Sequence, residues 1–382
     1  MDFNLTEEQT AIQDSLKRYL TKDYGFEQRR ALTKTPLGHS AEAWATYAEL
    51  GILALPFPES AGGLGGNAID TMLLAETLGA SLALEPFLST IVLSGSLINE
   101  IGTPAQRDTL LGGITQGTLQ VALAHGEAGA RYATNHVATT AKKDGAGWSL
   151  SGHKGVVLSA PSADKLLVSA RTSGSAFDAN GVSLFIVDAK AAGVTVRAYA
   201  TQDSQRAGEV LLKDVKVGAD ALVGSVNQAL PAIEHAIDRG IAALCAEAVG
   251  VMAALNAATL EYLKTRKQFG QPIGKFQALQ HRMAEMAIAT EHARSMALLA
   301  AVKVESADVA ERRRNVSAAK AYIGQSARKV GQEAVQMHGG MGVTDELPAA
   351  HWFKRLTAHG LMLGDVDHHL RRFIEQPGFQ VA

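Results

Sequence analysis

Apolar positions along this chain follow helical spacing at first, break into short alternating runs in the middle, and return to helical spacing thereafter. Over residues 1–118, Leu5, Ile12, Leu16 and Leu20 fall on one helical face, and LTEEQ offers Thr6 as an N-cap with acids in the first turn. From 119 to 226 come the β-prone runs LQVALA, HVATTA, GWSLSG, KLLVSAR, VSLFIV, VTVRAYA and EVLLKDVKV, parted by Gly, Asp, Asn and Ser turns. Such a string of short strands predicts a β-domain of barrel or sandwich type. Beyond Gly224, alanines and leucines recur at helical spacing through 228–300 and 317–337. The order is helices, strands, helices: an α+β chain, mostly α, with domains expected at 1–118, 119–226 and 227–382.

Composition narrows the class. With 382 residues and 47% hydrophobic content the chain can bury a large core. Its 36 basic and 38 acidic residues nearly cancel, so no net field draws it to nucleic acid or an anionic membrane, and partners must be recognised by local sites. The opening MDFNLTEEQT has acids where a secretory signal needs a cationic start, and the single cysteine, Cys245, excludes an internal disulfide. A cytoplasmic protein with Cys245 as a small core residue is the expectation. The apolar run at 241–260 has the length of a membrane span, but Glu247 lies well inside it, so a buried bundle helix is expected and no membrane insertion.

Several motifs carry candidate chemistry. GLGGNA (63–68) has dinucleotide-fingerprint spacing with Glu85 downstream, yet Pro56 and Pro58 stand where the preceding strand should be, so it reads as a loop joining two helices. Near the C-terminus Asp365, Asp367, His368 and His369 crowd together, but only Asp365 and His369, four apart, share a helical face, and no metal spacing elsewhere supports them. No metal site is expected. In YLKTRKQFGQPIGKFQALQHRMAEM (262–286) a helix ends in a basic turn, breaks at Gly270 and Pro272, and resumes. Arg266 and Phe269, three apart, share a face at that helix end; a cation beside an aromatic edge suits an anionic, planar ligand such as a nucleotide, and the same charge equally suits a bare helix C-terminus. QMHGGMG (336–342) ends a helix with consecutive glycines, which expose backbone to a ligand or simply cap the helix.

Together these segments resemble the acyl-CoA dehydrogenase family over the whole chain and in the family's order. FNLTEEQ is similar to the opening of its first helix, ELGILALPFPESAGGLGG and AETLGA to its N-terminal signature, and LLKDVKVGADALVG to the close of its β-domain. RKQFGQPIGKFQ and QMHGGMG are similar to its two C-terminal flavin segments. The resemblance implies an N-terminal helical domain, a β-barrel and a C-terminal four-helix bundle, with FAD between barrel and bundle and its adenosine diphosphate half reaching a neighbouring subunit. It implies that Arg266, Phe269 and Gln277 contact that half, and that Gln336, Gly339 and Gly340 form the backbone-lined end of its pocket. The implied chemistry is α,β-dehydrogenation of an acyl-CoA thioester, in which a carboxylate takes the α-proton, a hydride goes to the flavin, and an electron-transfer flavoprotein is the acceptor. Such a proton is too weakly acidic for a carboxylate unless hydrogen bonds stabilise the enolate, so base and polarising groups must sit together.

Against that pattern the chain departs in particular places. LMLGDVDHHLRRF (361–373) aligns with the segment that carries the family's base in a Glu-Gly-Thr triplet, and here those places read Gly364, Asp365 and Val366. The alternative base position, on the helix leading to Arg266, is Gly240. AHGEAGAR (124–131) keeps Ala128 and Gly129 of the loop along the flavin without its threonine and acids, and GHKGVVLS keeps Gly152 and Lys154 of the next flavin strand without its tryptophan and threonine. Nucleotide-half positions agree while flavin-ring positions do not, an asymmetry similar to the small subunits of heteromeric pimeloyl-CoA and steroid-CoA dehydrogenases. Three expectations stand: an α2β2 enzyme whose partner supplies the base; a self-sufficient homo-oligomer with Asp365 as base; or a flavin-free structural subunit. Asp365 also has a plain reading as the N-cap of the next helix. Dicarboxyl, steroid and fatty acyl-CoA substrates all suit these residues.

Overall fold

A computed structural model describes residues 5–377, so Phe3 and Asn4 of the opening motif lie outside the described residues. The first part holds α1 (Glu7–Asp23), α2 (Phe26–Leu32), α3 (Ala41–Glu49), α4 (Ala68–Ala80), a π-helical stretch at Phe87–Gly95 running into α5 (Ser96–Ile101), and the short α6 (Pro104–Gln106) and α7 (Gly112–Thr115). Thr6 caps α1, as the LTEEQ motif predicts, and the structure adds a reciprocal bond with Gln9. Leu5 therefore stands outside the helix and is 40% exposed, leaving the buried face to Leu16 and Leu20. No strand precedes GLGGNA among the described residues, and Glu85 is buried, accepting from the Ser40 amide at 3.0 Å and the Tyr47 hydroxyl at 3.2 Å. It is a structural carboxylate.

Six of the seven expected runs form strands, while HVATTA stays irregular up to Thr139 and its strand runs on to Asp144, and a short β8 is added: β1 (Val121–Ala124), β2 (Thr140–Asp144), β3 (Gly147–Leu158), β4 (Lys165–Arg171), β5 (Val182–Asp188), β6 (Val194–Ala200), β7 (Arg206–Val217) and β8 (Leu222–Val223). Their order is β6-β7-β3-β2-β4-β5-β8, with β1 beside β4. The path ends at β6 and β8, so the sheet is open and the expected barrel does not close. The open ends are the reason: β6 is largely exposed and β8 has only two residues, so the far edges do not pair, and inside the path β2 meets β4 at one register pair, Thr140 with Arg171. The two halves instead fold over one core. Trp148 and Leu150 of β3 and Val210 and Leu212 of β7 pack with Val168 of β4 and Phe185 of β5, the Trp148 and Phe185 rings meeting edge to face at 5.3 Å.

After the sheet come α8 (Leu230–Thr265), a two-residue hairpin of β9 (Lys267–Gln268) with β10 (Gln271–Pro272), α9 (Gln277–Lys303), α10 (Val309–His338), α11 (Pro348–His359) and α12 (Val366–Ile374). These helices form the C-terminal bundle. Among the described residues α8 alone is long and apolar enough to cross a membrane, and 67% of its most apolar window is buried within the protein. Cys245 is buried in it, and burial pushes its thiol up to about 12.

The chain sorts into two compact units. One holds the chain up to Ala31, Ala68–Ala83 and everything from Ile241; the other holds Leu32–Asn67 and Leu84–Gly240. Within the first, α4 and α8 touch backbone to backbone. A Cβ on Gly250 would lie 1.9 Å from the Glu76 carbonyl oxygen, and one on Gly79 would lie 2.3 Å from that of Glu247. Any side chain there would force the helices apart.

Candidate functional site

The six residues that the resemblance assigns to the nucleotide half lie at one end of the bundle. Tyr262, near the end of α8, stacks on His338 at the end of α10 with ring centroids 4.5 Å apart, and its hydroxyl donates to the His338 carbonyl at 3.3 Å. That contact sets the segment 266–269 beside 336–340. The Ile273 amide donates to the Arg266 carbonyl at 2.9 Å, which brings Gln277, the first residue of α9, to the same end.

One expectation needs correcting there. Arg266 and Phe269 do not share a helical face, because α8 stops at Thr265 and the following residues turn in the β9–β10 hairpin. Thr265 bonds back to the carbonyls of Glu261 and Tyr262, and Phe269 (φ +53°) and Gly270 (φ +77°) are left-handed, so helical spacing lapses. The outcome still favours a ligand. Phe269 is 90% exposed with only an edge contact to Phe276 at 6.1 Å, and Gln336, Gly339 and Gly340 are also exposed. A Cβ on Gly339 or Gly340 would meet nothing within 4 Å, so the backbone there is open to close approach. An uncovered aromatic, a guanidinium, two amide side chains and bare backbone fit the nucleotide half of FAD.

Asp365 lies elsewhere on the bundle. Val366, its neighbour, packs at Gly324 of α10, which is twelve residues from Gln336 and so about 18 Å along the helix. The Asp365 carboxylate accepts from the His368 amide at 2.8 Å as the N-cap of α12. It also lines a cavity of about 660 Å³ with Arg328, Phe353, Leu361 and Asp367. Before it, Leu363 (φ +54°) and Gly364 (φ +120°) make a left-handed turn. The ring of His369 fills that turn: a Cβ on Gly364 would lie 2.4 Å from its Nε2 and 2.7 Å from His368 Cδ2.

His369 is fully buried, and burial, with Lys320 adding to it, holds its imidazole down to about 3. The ring is neutral. Because the Leu363 carbonyl at 3.0 Å can only accept, Nε2 carries the proton and Nδ1 accepts from the Ser317 hydroxyl at 3.3 Å. The end of α11 is fixed as firmly. Arg355 grips Glu247 of α8 with Nε at 2.6 Å and Nη2 at 2.9 Å, His359 stands 3.4 Å from the same carboxylate, and Lys320 donates to the His359 carbonyl. Burial alone would raise the Glu247 carboxyl, but Arg355 and His359 outweigh it and hold it far below the carboxylate range. Gly240 is buried in α8 and offers no side chain.

In the second unit, Val156, at the tryptophan position of the flavin strand, is 66% exposed with φ +50°. The sequence marks His369 only as a candidate metal ligand, and it marks neither the Glu247–Arg355 pair nor Glu127. Nothing in the sequence marks Glu127 as the counter-ion of Lys154, whose burial only the fold reveals. Among the described residues no cluster of three or more His, Cys, Asp or Glu is arranged to hold a metal.

Comparison with known proteins extends this geometry. The chain matches the N-terminal domain of acyl-CoA dehydrogenase over residues 6–118, the middle domain over 122–215 and the C-terminal domain over 228–376. A probable acyl-CoA dehydrogenase of Bacillus subtilis, YngJ, is 30% identical over 354 residues, 91% of each chain. Among solved structures, the ChsE4–ChsE5 complex from Mycobacterium tuberculosis includes a similar chain, 27% identical with a TM-score of 0.88 over the full length of both. A variant of the Tcur3481–Tcur3483 steroid ACAD is 31% identical with a TM-score of 0.86 over 96% of both. Agreement through three successive domains, with a relative covered nearly end to end, means that the chain belongs to the acyl-CoA dehydrogenase family, whose members are FAD-dependent oxidoreductases.

Proposed function

We propose that this chain is the non-canonical small subunit of a heteromeric acyl-CoA dehydrogenase, holding the nucleotide half of FAD while a partner chain supplies the proton-abstracting carboxylate. The turn at Gly364 carries the reading. At the family's base position the backbone is left-handed and the space for a side chain is taken by a fully buried histidine ring. The adjacent carboxylate, Asp365, is engaged in capping α12, and Glu247 is locked to Arg355. FAD, when bound, supplies the acceptor for the hydride from the β-carbon. This chain's own part is to grip the cofactor's tail with Arg266, Phe269, Gln277 and the 336–340 backbone. The two similar structures with paired names, the ChsE4–ChsE5 complex and the Tcur3481–Tcur3483 steroid ACAD, support a two-chain assembly. An electron-transfer flavoprotein is the proposed acceptor.

A second reading has one observation in its favour: Asp365 lines the 660 Å³ cavity. As base it would be one methylene shorter than glutamate and one residue later, and a misplacement of about 1 Å can cost about 100-fold in rate. Expression of the chain alone and with its genomic neighbour separates the readings, scored by bound FAD and by turnover of dicarboxyl, steroid and fatty acyl-CoA. Full flavin occupancy and turnover by the lone chain refute the two-chain proposal. Undiminished turnover by Asp365→Asn in the active assembly removes the second reading, and a colourless complex would leave only a flavin-free structural role.

A further inference from the structure

Between β1 and β2 the chain runs from His125 to Thr139 without regular structure, an unusual length for a connection inside a compact unit. Its crest, with Gly126, Ala128 and Gly129, is exposed. Its base is closed by polar groups that converge on one buried amine. Lys154 of β3 has no exposed surface, and all three of its donor directions are used: to Glu127 Oε1 at 2.6 Å, to the Ser169 hydroxyl of β4 at 3.0 Å and to the His125 carbonyl at 3.3 Å. The Glu127 side chain, 4% exposed, reaches on across the loop and accepts from the backbone amides of Ala138 at 2.6 Å and Thr139 at 3.0 Å.

His125 completes the ring of contacts. Since Lys154 donates to Ser169 Oγ, the Ser169 hydroxyl is free to donate to His125 Nδ1 at 2.9 Å, and the His125 ring also hydrogen-bonds the Thr134 backbone. One amine thus ties the start of the loop, through Glu127, to its end, and through Ser169 and His125 to its middle. Glu127 stands at a glycine position of the resembling family segment.

We propose that Lys154 is a positioning residue that clasps the 125–139 loop shut and thereby sets how the loop lies against the flavin. The flavin part of this rests on the reading above that the loop runs along the cofactor; the clasp itself stands on the contacts. Supporting electrostatics agree. Burial lowers the Lys154 amine to about 8 against the pull of Glu127, whereas for Glu127 burial is outweighed by Lys154 and its carboxyl falls to about 2, so the pair is ionised at neutral pH. Burial and the nearby Lys154 charge lower His125 to about 3, leaving it neutral, and Arg171, the other nearby cation, is occupied by the carbonyls of Asn135, Ala176, Asp178 and Asn180. A buried ion pair with its remaining bonding capacity satisfied is rigid because losing either partner strands the other.

The test uses the full-length, FAD-loaded protein and two readouts. Trypsin cleavage of the Arg131–Tyr132 bond, inside the loop, reports opening, and the visible circular dichroism of bound flavin reports the loop's contact with it. Lys154→Met is expected to speed that cleavage about tenfold or more, because proteolysis follows the population of the open form, and to shift the flavin signal. The double variant Lys154→Met, Glu127→Gln leaves no buried charge uncompensated and gives the same comparison if the single variant fails to fold. Unchanged cleavage in the folded double variant overturns the clasp. Faster cleavage with an unmoved flavin signal overturns the positioning role and places the fault in the flavin reading alone.

Discussion

Gly364→Ala offers a sharp trial of the turn that replaces the family's base. An alanine there must hold φ near +120°, a backbone region that costs a side-chain-bearing residue about 1–3 kcal/mol. Its methyl must also displace the His369 ring from 2.4 Å. That ring cannot swing away freely, being fully buried and bonded to both Leu363 and Ser317, so overpacking adds about 1–3 kcal/mol. The two costs together should lower the melting temperature by on the order of 10 °C for a unit of this size. Thermal unfolding of the parent, Gly364→Ala, His369→Ala and the double variant measures it. With the His369 ring gone, the alanine should cost the backbone part and its contact with His368, leaving a coupling of about 1–3 kcal/mol between the two sites. An alanine that costs the same in both backgrounds would refute the claim that His369 occupies the space of the missing side chain.

Other expectations are as direct. Burial holds His39 down to about 4 and His125 and His369 to about 3, against 6.5 in an unfolded chain, so between those values the unfolded state binds protons that the folded state refuses. Stability is therefore full above pH 6.5 and falls as pH drops, by about 2 kcal/mol per histidine at pH 5, and urea midpoints across pH 5–8 should show the slope. A flat profile contradicts the buried-neutral assignment. Arg355→Ala strands the Glu247 carboxylate between α8 and α11 and should cost about 3–5 kcal/mol in urea unfolding, far more than a surface pair; a loss under 1 kcal/mol would mean that the pair is solvated. Phe269→Ala removes a ring that is 90% exposed, so the protein's own stability should change by less than about 0.5 kcal/mol while FAD is lost more readily on dilution, as followed by flavin fluorescence; equal retention removes Phe269 from the cofactor grip.

Local chemistry was legible in the sequence. Thr6 with the acids after it announced the start of α1, QMHGGMG the end of α10, and Asp365 its capping of α12, because each depends on residues within a turn of one another. The β-runs were legible as strands, but closure of the sheet was not: it depends on whether the end strands β6 and β8 pair, which no strand's own pattern records. A spacing of three implies a common face for Arg266 and Phe269 only while the helix lasts, and α8 ends at Thr265, four residues before Phe269. The role of His369 was hidden for another reason. Its position four after Asp365 suggested a shared helical face, whereas Asp365 caps the helix and the His369 ring turns inward to Leu363 and to Ser317 of α10, fifty-two residues away. Glu127 escaped notice because its partner lies across two strands.

The discontinuous make-up of the first unit bears on how the protein is born. Its earliest helices, α1 and α4, belong with the segment from Ile241 onward, and the glycine crossing of α4 with α8 cannot form until that segment exists. A nascent chain leaving the ribosome therefore carries α1 and α4 without their final cover while the whole β-sheet is still being translated. Such a chain would present a long-lived apolar surface to chaperones, and a fragment ending before Ile241 would lack the partners of its own first helices.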